Sequence, residues 1–570
     1  MPKFFLQFLS FFFLYHFAFG QSDSLVKPLD ITMYLAGTFG ELRGNHFHSG
    51  LDIKTHGETS LPVYAVDDGY VYRIKISRYG YGKALYVKHP SGLVSVYGHL
   101  ESFSDRINNY IKQKQYKKQS YEIEVFPYKI ELPVKKGDII AYSGNTGGSS
   151  GPHLHFELRN ELEHPLNPMS YGFMVKDTQY PIVRNVFAYP LDSLAHINNV
   201  GKRVKLNMAK KNDSLYIGEP IKAHGFIGFG IDAYDRQDWT KNYNGLYKID
   251  VLVNGLTVFE QVMEEFSFAN TKYINAIIDY PYYVKHRKRI MQLWVKPYNL
   301  LEIYTQLVND GRISIKNDRN YMVTIKLSDY NGNTTNIHIP VKGENSQIVE
   351  NSLKTRTPFL VLKDQPVKYT IKPWIISFNA KSSFEDFYLK IVNNNHFMTI
   401  KNPLKPLLKS YTIKYPLSLL PENLQKYAYL TLLNKNKKTY YVSSVHKNDS
   451  LVARTKRFGT FLIRYDSIAP VIKPLNFKPN SDLTNYHFLR FYIGDKKSGV
   501  KSYQGFIDGQ WILMEYDYKT GKLTYNFDDK PLSGHKHHLK ILVTDNLGNT
   551  RQYSTDFYRK EPKPKHLKLN

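Results

Sequence analysis

The sequence contains no cysteine. Disulfides, thiolate metal ligands, cysteine nucleophiles and a lipidated N-terminal Cys are therefore excluded, and any bound metal must be held by imidazole and carboxylate. Beyond the first 20 residues there is no long apolar run, so no transmembrane segment is expected once those residues are removed. The formal net charge is +27, yet no long block of Lys and Arg carries it and no nucleic-acid-binding motif accompanies it. A distributed charge suits solubility or attraction to an anionic polymer such as cell wall or lipid headgroups, and nucleic acid is not expected as a partner. Helical periodicity is scarce between Ile31 and Ser170.

What is present is aromatic and β-prone. Tyr (46) and Phe (33) supply most of an aromatic content of 15%, and both favour half-buried pleated surfaces. At 570 residues the chain is too long for one core. Met1-Pro2-Lys3, an apolar run from Phe4 to Phe19 and the small residues Ala18 and Gly20 predict a signal peptide over 1–20 and an exported mature protein, in the periplasm or cell envelope or secreted.

Short strand-length segments separated by Asp67-Asp68-Gly69, Gly80-Tyr81-Gly82, Ser91-Gly92 and Lys136-Gly137-Asp138 predict an antiparallel β domain over 30–172. Within it, 105–130 is polar, basic and Tyr-rich, and reads as an insertion forming a hairpin or a partly helical flap. Residues 173–200 read as a linker. A diverged repeat follows. Asn244-Gly245 precedes Asn254-Gly255 by ten residues, as Ser498-Gly499 precedes Asp508-Gly509. Each copy ends in an Asp-x-x-Gly-Asn-Thr turn, Asp329–Thr334 and Asp545–Thr550, which lacks the ligand run of a calcium loop and reads as a plain turn. Tandem β-sandwich modules of immunoglobulin-like type are expected at 201–345 and 460–558, with a β-rich module at 355–455 between them and a basic tail at 559–570. The fold class is mainly β.

Three segments carry candidate chemistry: His48-Ser-Gly-Leu-Asp52, Tyr97-Gly-His99-Leu100 and Gly151-Pro-His153-Leu-His155-Phe156. On a strand, residues two or four apart share a face, which groups His153 with His155 and His48 with Asp52. His46 and His56 compete as ligands, and His89 reads as structural. The Gly144–Pro152 loop is built from small residues that let a substrate backbone approach closely.

In order and in flanking text, these segments resemble the LytM/lysostaphin-type zinc metallopeptidases over about residues 40–170. The matching text also includes Pro62 to Gly69, Val134 to Ile140, Ser143 to Gly147, Glu157 and Asn167-Pro168. The resemblance implies an N-terminal antiparallel β metallopeptidase domain with Zn2+ held by His48, Asp52 and His155. It makes His99 and His153 the catalytic pair, with the division of labour between them open. It implies an endopeptidase that cuts the peptide stems of peptidoglycan. A secreted protease acting on proteins and a non-catalytic wall-binding scaffold are the alternatives; the resemblance does not extend to the β-sandwich modules, which could bind wall, carry envelope protein partners or act only as spacers.

Overall fold

The computed structural model describes residues 24–560 except 298, 349, 352–355 and 435–436. The expected signal peptide lies outside the described residues, as does all but the start of the expected tail. In the N-terminal domain the main strands are β1 (Leu35–Gly37), β2 (Leu51–Lys54), β3 (Gly69–Ile76), β4 (Lys83–Lys88), β5 (Val94–Leu100), β6 (Ile123–Val125) and β7 (His153–Arg159), with helix α1 at Asp105–Lys118. They form one antiparallel sheet in the order β1-β2-β7-β5-β4-β3-β6.

Central strand β7 shows why the sequence folds this way. Leu154, Phe156 and Leu158 are each 0% exposed and enter the main core with Leu51 and Ile53 of β2 and Tyr97 of β5. The period of two then sends His153, His155, Glu157 and Arg159 to the opposite face. Gly50, at the start of β2, allows this strand to lie close to β7: a Cβ there would sit 2.1 Å from the Phe156 carbonyl oxygen. Gly50→Ala must push the strands apart, and we expect it to cost about 1–3 kcal/mol, read as a lower melting temperature of the N-terminal domain by calorimetry.

Helix α1 occupies the expected flap. Ile107, Ile111 and Gln115, spaced by four, are its buried stripe. Asp105 in the first turn and Lys117 and Lys118 in the last complement its dipole. Its outer face seats the last module: Tyr116 packs edge-on against Trp511 at 5.3 Å, and Lys112 pairs with Asp529.

The boundaries of the later modules differ from those read in the sequence. The segment expected as a linker contains β8 (Ile182–Pro190), which pairs at eight positions with β9 (Ile221–Tyr234). The first sandwich therefore begins there. It also contains β10 (Asn320–Ser328) and β11 (Thr334–Gly343), joined by the Asp329 turn. This sandwich is welded to the N-terminal domain: Phe39 and Phe47 share an apolar cluster with Met263, Phe266, Ile274 and Ile277. The middle module has six- and five-stranded sheets around one core running from Val361 to Ile463. Strand Gly459–Tyr465 pairs with Ala428–Leu433 and so belongs to it rather than to the last module. The last module has two four-stranded sheets around one core and contains β12 (Phe488–Gly494), β13 (Lys536–Asp545) and β14 (Thr550–Tyr558). Asn254-Gly255 and Asp508-Gly509 are two-residue hairpin turns, flanked by the pairs Val253–Leu256 and Ile507–Gln510.

Candidate metal centre and catalytic groove

The β2–β7 register places Asp52 directly opposite His155, and the β7–β5 register places Gly98 on the other side of His155. His48 arrives differently. It precedes β2 rather than lying on it, so strand parity does not place it. Its backbone is tied to Gly40 and Glu41 by hydrogen bonds of 2.9 Å each. His99 is also off pattern. Parity along β5 would aim it at the core, but its φ is +61°, a left-handed conformation uncommon for a residue with a Cβ. That turn sends its ring to the site face, and its N–H is held by the Tyr81 carbonyl at 2.8 Å.

Three ligand atoms converge. His48 Nε2 lies 2.9 Å from Asp52 Oδ1, His155 Nδ1 lies 2.8 Å from the same oxygen, and the two nitrogens are 3.2 Å apart. The far nitrogens decide the tautomers. His48 Nδ1 contacts the Thr38 carbonyl at 2.7 Å, and His155 Nε2 contacts Glu157 Oε1 at 2.8 Å. Both partners can only accept, so the far nitrogen carries the proton and a neutral ring turns a lone pair toward the centre. Two bare nitrogens and a carboxylate oxygen aimed at one point fit a divalent metal ion. Without one, a proton holds the place: burial alone would lower the His155 pKa, but hydrogen bonds to Asp52 and Glu157 hold it up at about 9. A metal displaces that proton on binding. Asp52 offers only Oδ1, because Oδ2 accepts from Arg43 at 2.9 Å.

Glu157, the next even position on β7, is fully buried and fully partnered. It accepts from His155, from Ser49 Oγ at 2.5 Å, from Tyr81 and from Arg159 Nε at 2.7 Å. Although burial would raise its pKa, Arg159 and His155 hold it far below the usual carboxylate range. Tyr81 stacks on His155 with ring centres 5.0 Å apart. A carboxylate behind a ligand imidazole fixes its orientation and basicity. Glu157→Gln is expected to weaken metal affinity about 10–100-fold and to lower the melting temperature by taking from Arg159 its buried carboxylate partner and leaving it to Glu163 at the surface. Competition with a chromophoric chelator and a thermal melt measure the two effects.

His99 and His153 stand beside the ligand triad, their rings 4.8 Å apart. His99 Nδ1 contacts the Thr146 carbonyl at 2.8 Å, and His153 Nδ1 contacts the Gly151 carbonyl at 2.9 Å. Each again turns a bare Nε2 toward the groove. Burial and the neighbouring imidazoles of His155 and His153 push His99 down to about 3, keeping it neutral. His153 Nε2 lies 3.4 Å from Asp52 Oδ1. All five sequence-predicted site residues therefore line one groove of about 850 Å³. His46 and His56 line it too, but neither joins the triad. His89 is structural, bonded to the Asp68 carbonyl and Ser95 Oγ at 2.8 Å each.

Two glycine loops shape the groove wall. Gly147 has φ +69°, and a Cβ there would meet Gly82 N at 2.3 Å, so neither loop tolerates a side chain at that contact. Other modules complete the walls. Trp239, Thr240 and Asn242 of the first sandwich line the groove, and Asn242 accepts from Lys54 and donates to the Ala36 carbonyl at 2.9 Å each. From the last module, Lys519 Nζ donates to the carbonyls of Asn145 at 2.5 Å and Ser149 at 3.1 Å. Sequence reasoning missed Arg43, Tyr81, Trp239 and Lys519. Only the even spacing of Glu157 from His153 and His155 gave a local signal for any supporting residue.

Residues 46–116 and 122–168 match the model of Peptidase family M23, and residues 376–466 match that of the Zu5-like domain. The DD-carboxypeptidase/endopeptidase Mpg of Neisseria meningitidis serogroup B is 33% identical over 123 residues, which make up 22% of this chain and 22% of that protein. An uncharacterized metalloprotease of Haemophilus influenzae is 34% identical over 111 residues, covering 20% of this chain and 18% of that one. The chain thus spans about a fifth of the length of the curated relatives it matches. Among solved structures, the lysostaphin catalytic domain from Staphylococcus simulans is 24% identical, covering 24% of this chain and 88% of that one, with a TM-score of 0.18. The catalytic domain of the prophage-encoded M23 protein EnpA from Enterococcus faecalis is also 24% identical, covering 26% and 97%, with a TM-score of 0.20.

Proposed function

We propose, from the LytM-type M23 peptidase domain in the N-terminal third of the chain, that this protein is an exported zinc endopeptidase that hydrolyses peptide cross-links of bacterial peptidoglycan. One observation carries the reading. Four imidazoles are each anchored at the far nitrogen and present a bare nitrogen to one open groove, and three of them lie within 3.4 Å of Asp52 Oδ1. The name of the Neisseria relative, a DD-carboxypeptidase/endopeptidase, supports a wall peptide as substrate. Among the described residues no helix is long and apolar enough to cross a membrane.

His48, Asp52 and His155 would hold zinc, whose nitrogen and oxygen ligand preferences they match and which they leave with an open position. When bound, zinc supplies a Lewis acid for the scissile carbonyl and brings the pKa of a water toward neutrality. The rest falls to the chain. The groove aligns an extended peptide between the glycine loops and Trp239. One imidazole of the His99–His153 pair takes the proton of the attacking water at Nε2 and passes it to the leaving amine. The other, also bare at Nε2, accepts a hydrogen bond from the same water and orients it for attack. Thr146 and Gly151 hold both rings in the tautomer that makes Nε2 the reactive atom.

Mass spectrometry of isolated wall digested by the mature protein tests this reading. Release of stem-peptide fragments that stops on chelation and resumes with zinc is expected. Cleavage of generic or oligoglycine peptides with intact wall would favour the protein-protease reading, and wall binding without hydrolysis the scaffold.

A further inference from the structure

A second cluster of ligating groups lies between the peptidase domain and the first sandwich. Asp177 stands just before β8, Asp235 just after β9, and Asp329 just after β10. Their ligand atoms lie within 4.8 Å of one another, and the residues are 8%, 4% and 5% exposed. They line a small cavity of about 30 Å³ together with Gln237, room for one water-sized particle. Gln237 is itself 4% exposed, and its Oε1 finds no donor. Asp235 Oδ1 finds none either. Among the described residues no Lys or Arg pairs with any of the three acids. Burial is the main cause, with repulsion from neighbouring carboxylates adding to it, that pushes Asp235 up to about 9 and Asp177 up to about 7.

We propose that Asp177, Asp235, Asp329 and Gln237 bind a hard divalent cation, calcium, and that the ion fixes the segment that walls the catalytic groove. The donor set is all oxygen, which selects Ca2+ or Mg2+ over zinc. Oxygens 2.3–2.6 Å from a Ca2+ ion are at most about 5 Å apart, the spread seen here. The Asp235 backbone exchanges hydrogen bonds with Asn244, at 3.0 and 2.9 Å. This closes a loop whose Trp239, Thr240 and Asn242 face the groove.

The last module supplies an internal control. Asp466, Asp495 and Asp545 form a matching triad. Both triads start in Asp-x-x-x-Pro, at Asp177–Pro181 and Asp466–Pro470. In both, an Asn of the terminal turn donates to the first Asp carbonyl, Asn333 at 3.1 Å and Asn549 at 2.8 Å. The same Asn also donates its N–H and Nδ2 to the turn acid in each copy, Asp329 and Asp545, and the copies part at the middle acid. The N–H groups of Lys497 and Gly499 donate to Asp495 Oδ1, that of Ser498 donates to Asp466 Oδ2, and Lys497 Nζ lies 3.9 Å from Asp466 Oδ1. In the first copy Asp177 accepts from the Gln179 N–H at 2.9 Å and Asp329 from the N–H and Nδ2 of Asn333 at 2.8 and 2.7 Å, but Asp235 Oδ1, at the position where Asp495 takes two N–H groups, and Gln237 Oε1 keep no donor.

The test uses the full mature chain and does not rest on the proteolytic reading. Ca2+ at about 100 times its dissociation constant is expected to raise the melting temperature by roughly 5 °C. Tb3+ is expected to luminesce on tyrosine excitation, since Tyr247 and Tyr330 line the cavity, and Ca2+ should displace it. Amide exchange over 235–244 is expected to slow when Ca2+ is added. Asp235→Asn should abolish all three effects and Gln237→Ala should weaken Ca2+ binding, whereas Asp495→Asn and His155→Ala should keep them. A melting temperature indifferent to Ca2+ overturns the proposal, as does Tb3+ luminescence that survives both Asp235→Asn and Asp329→Asn. An Asp235→Asn chain more stable than the Ca2+-saturated parent would show a merely repulsive cluster. Unchanged exchange over 235–244 would overturn the groove-fixing role.

Discussion

Replacing His153 with alanine is expected to lower kcat about 10²–10⁴-fold while zinc stays bound at one per chain. His153 is not one of the three converging ligands, and although its Nε2 lies 3.4 Å from Asp52 Oδ1, its ring is anchored at Nδ1 by the Gly151 carbonyl and Ser149 Oγ. Its removal deletes a proton acceptor and leaves the ligands and their supports in place. His99→Ala should behave alike, and the double variant should lose far less than the product of the two effects, because both rings serve one proton-transfer event. Turnover of a stem peptide with metal analysis of the same samples measures this. Loss of zinc from His153→Ala would move that residue from the catalytic pair to the ligand set.

The ligand variants should separate cleanly from these. Asp52→Ala is expected to abolish both bound zinc and measurable hydrolysis, and added zinc should restore neither. Asp52 Oδ1 is the atom on which both ligand imidazoles converge, and Oδ2 is the anchor of Arg43. Its loss removes the one carboxylate of the ligand set and leaves two imidazoles, one donor short of the three protein ligands a catalytic zinc takes. Chelation of the parent should also abolish activity, but zinc should then restore it, since the sheet that carries the donors is held by its apolar face. Metal content and hydrolysis, measured before and after zinc addition, distinguish the two.

Some of this was legible in the sequence, and the reasons differ by residue. His153 and His155 follow from strand period alone, and Glu157 lay one step further along the same face. Its role was hidden because it depends on Ser49, Tyr81 and Arg159 meeting at a buried point. Strand parity groups His48 with Asp52, but His48 sits in a loop before the strand where parity has no force, and only the family-like text around it supports the placement. His99 is off pattern because a single left-handed residue inverts the alternation. Hairpin and turn signals between apolar residues mark the strands of the later modules, but the modules start elsewhere than those signals suggest. β8 looks like a connection until its eight-position pairing with β9 is seen. Each Asp-x-x-Gly-Asn-Thr turn showed one acid, and the other two members of each triad lie far away in sequence.

The contact of Lys519 with the Asn145–Ser149 loop joins residues 374 and 370 positions apart. A chain made at about 5–20 residues per second therefore presents the loop roughly 20–75 s before the lysine that steadies it. During that interval the metal ligands, which all lie before residue 160, have already been synthesised. The wall that orders the groove arrives with the final module. Maturation of the groove is thus timed by the end of synthesis, and a chain that stops short carries the ligands without the clamp.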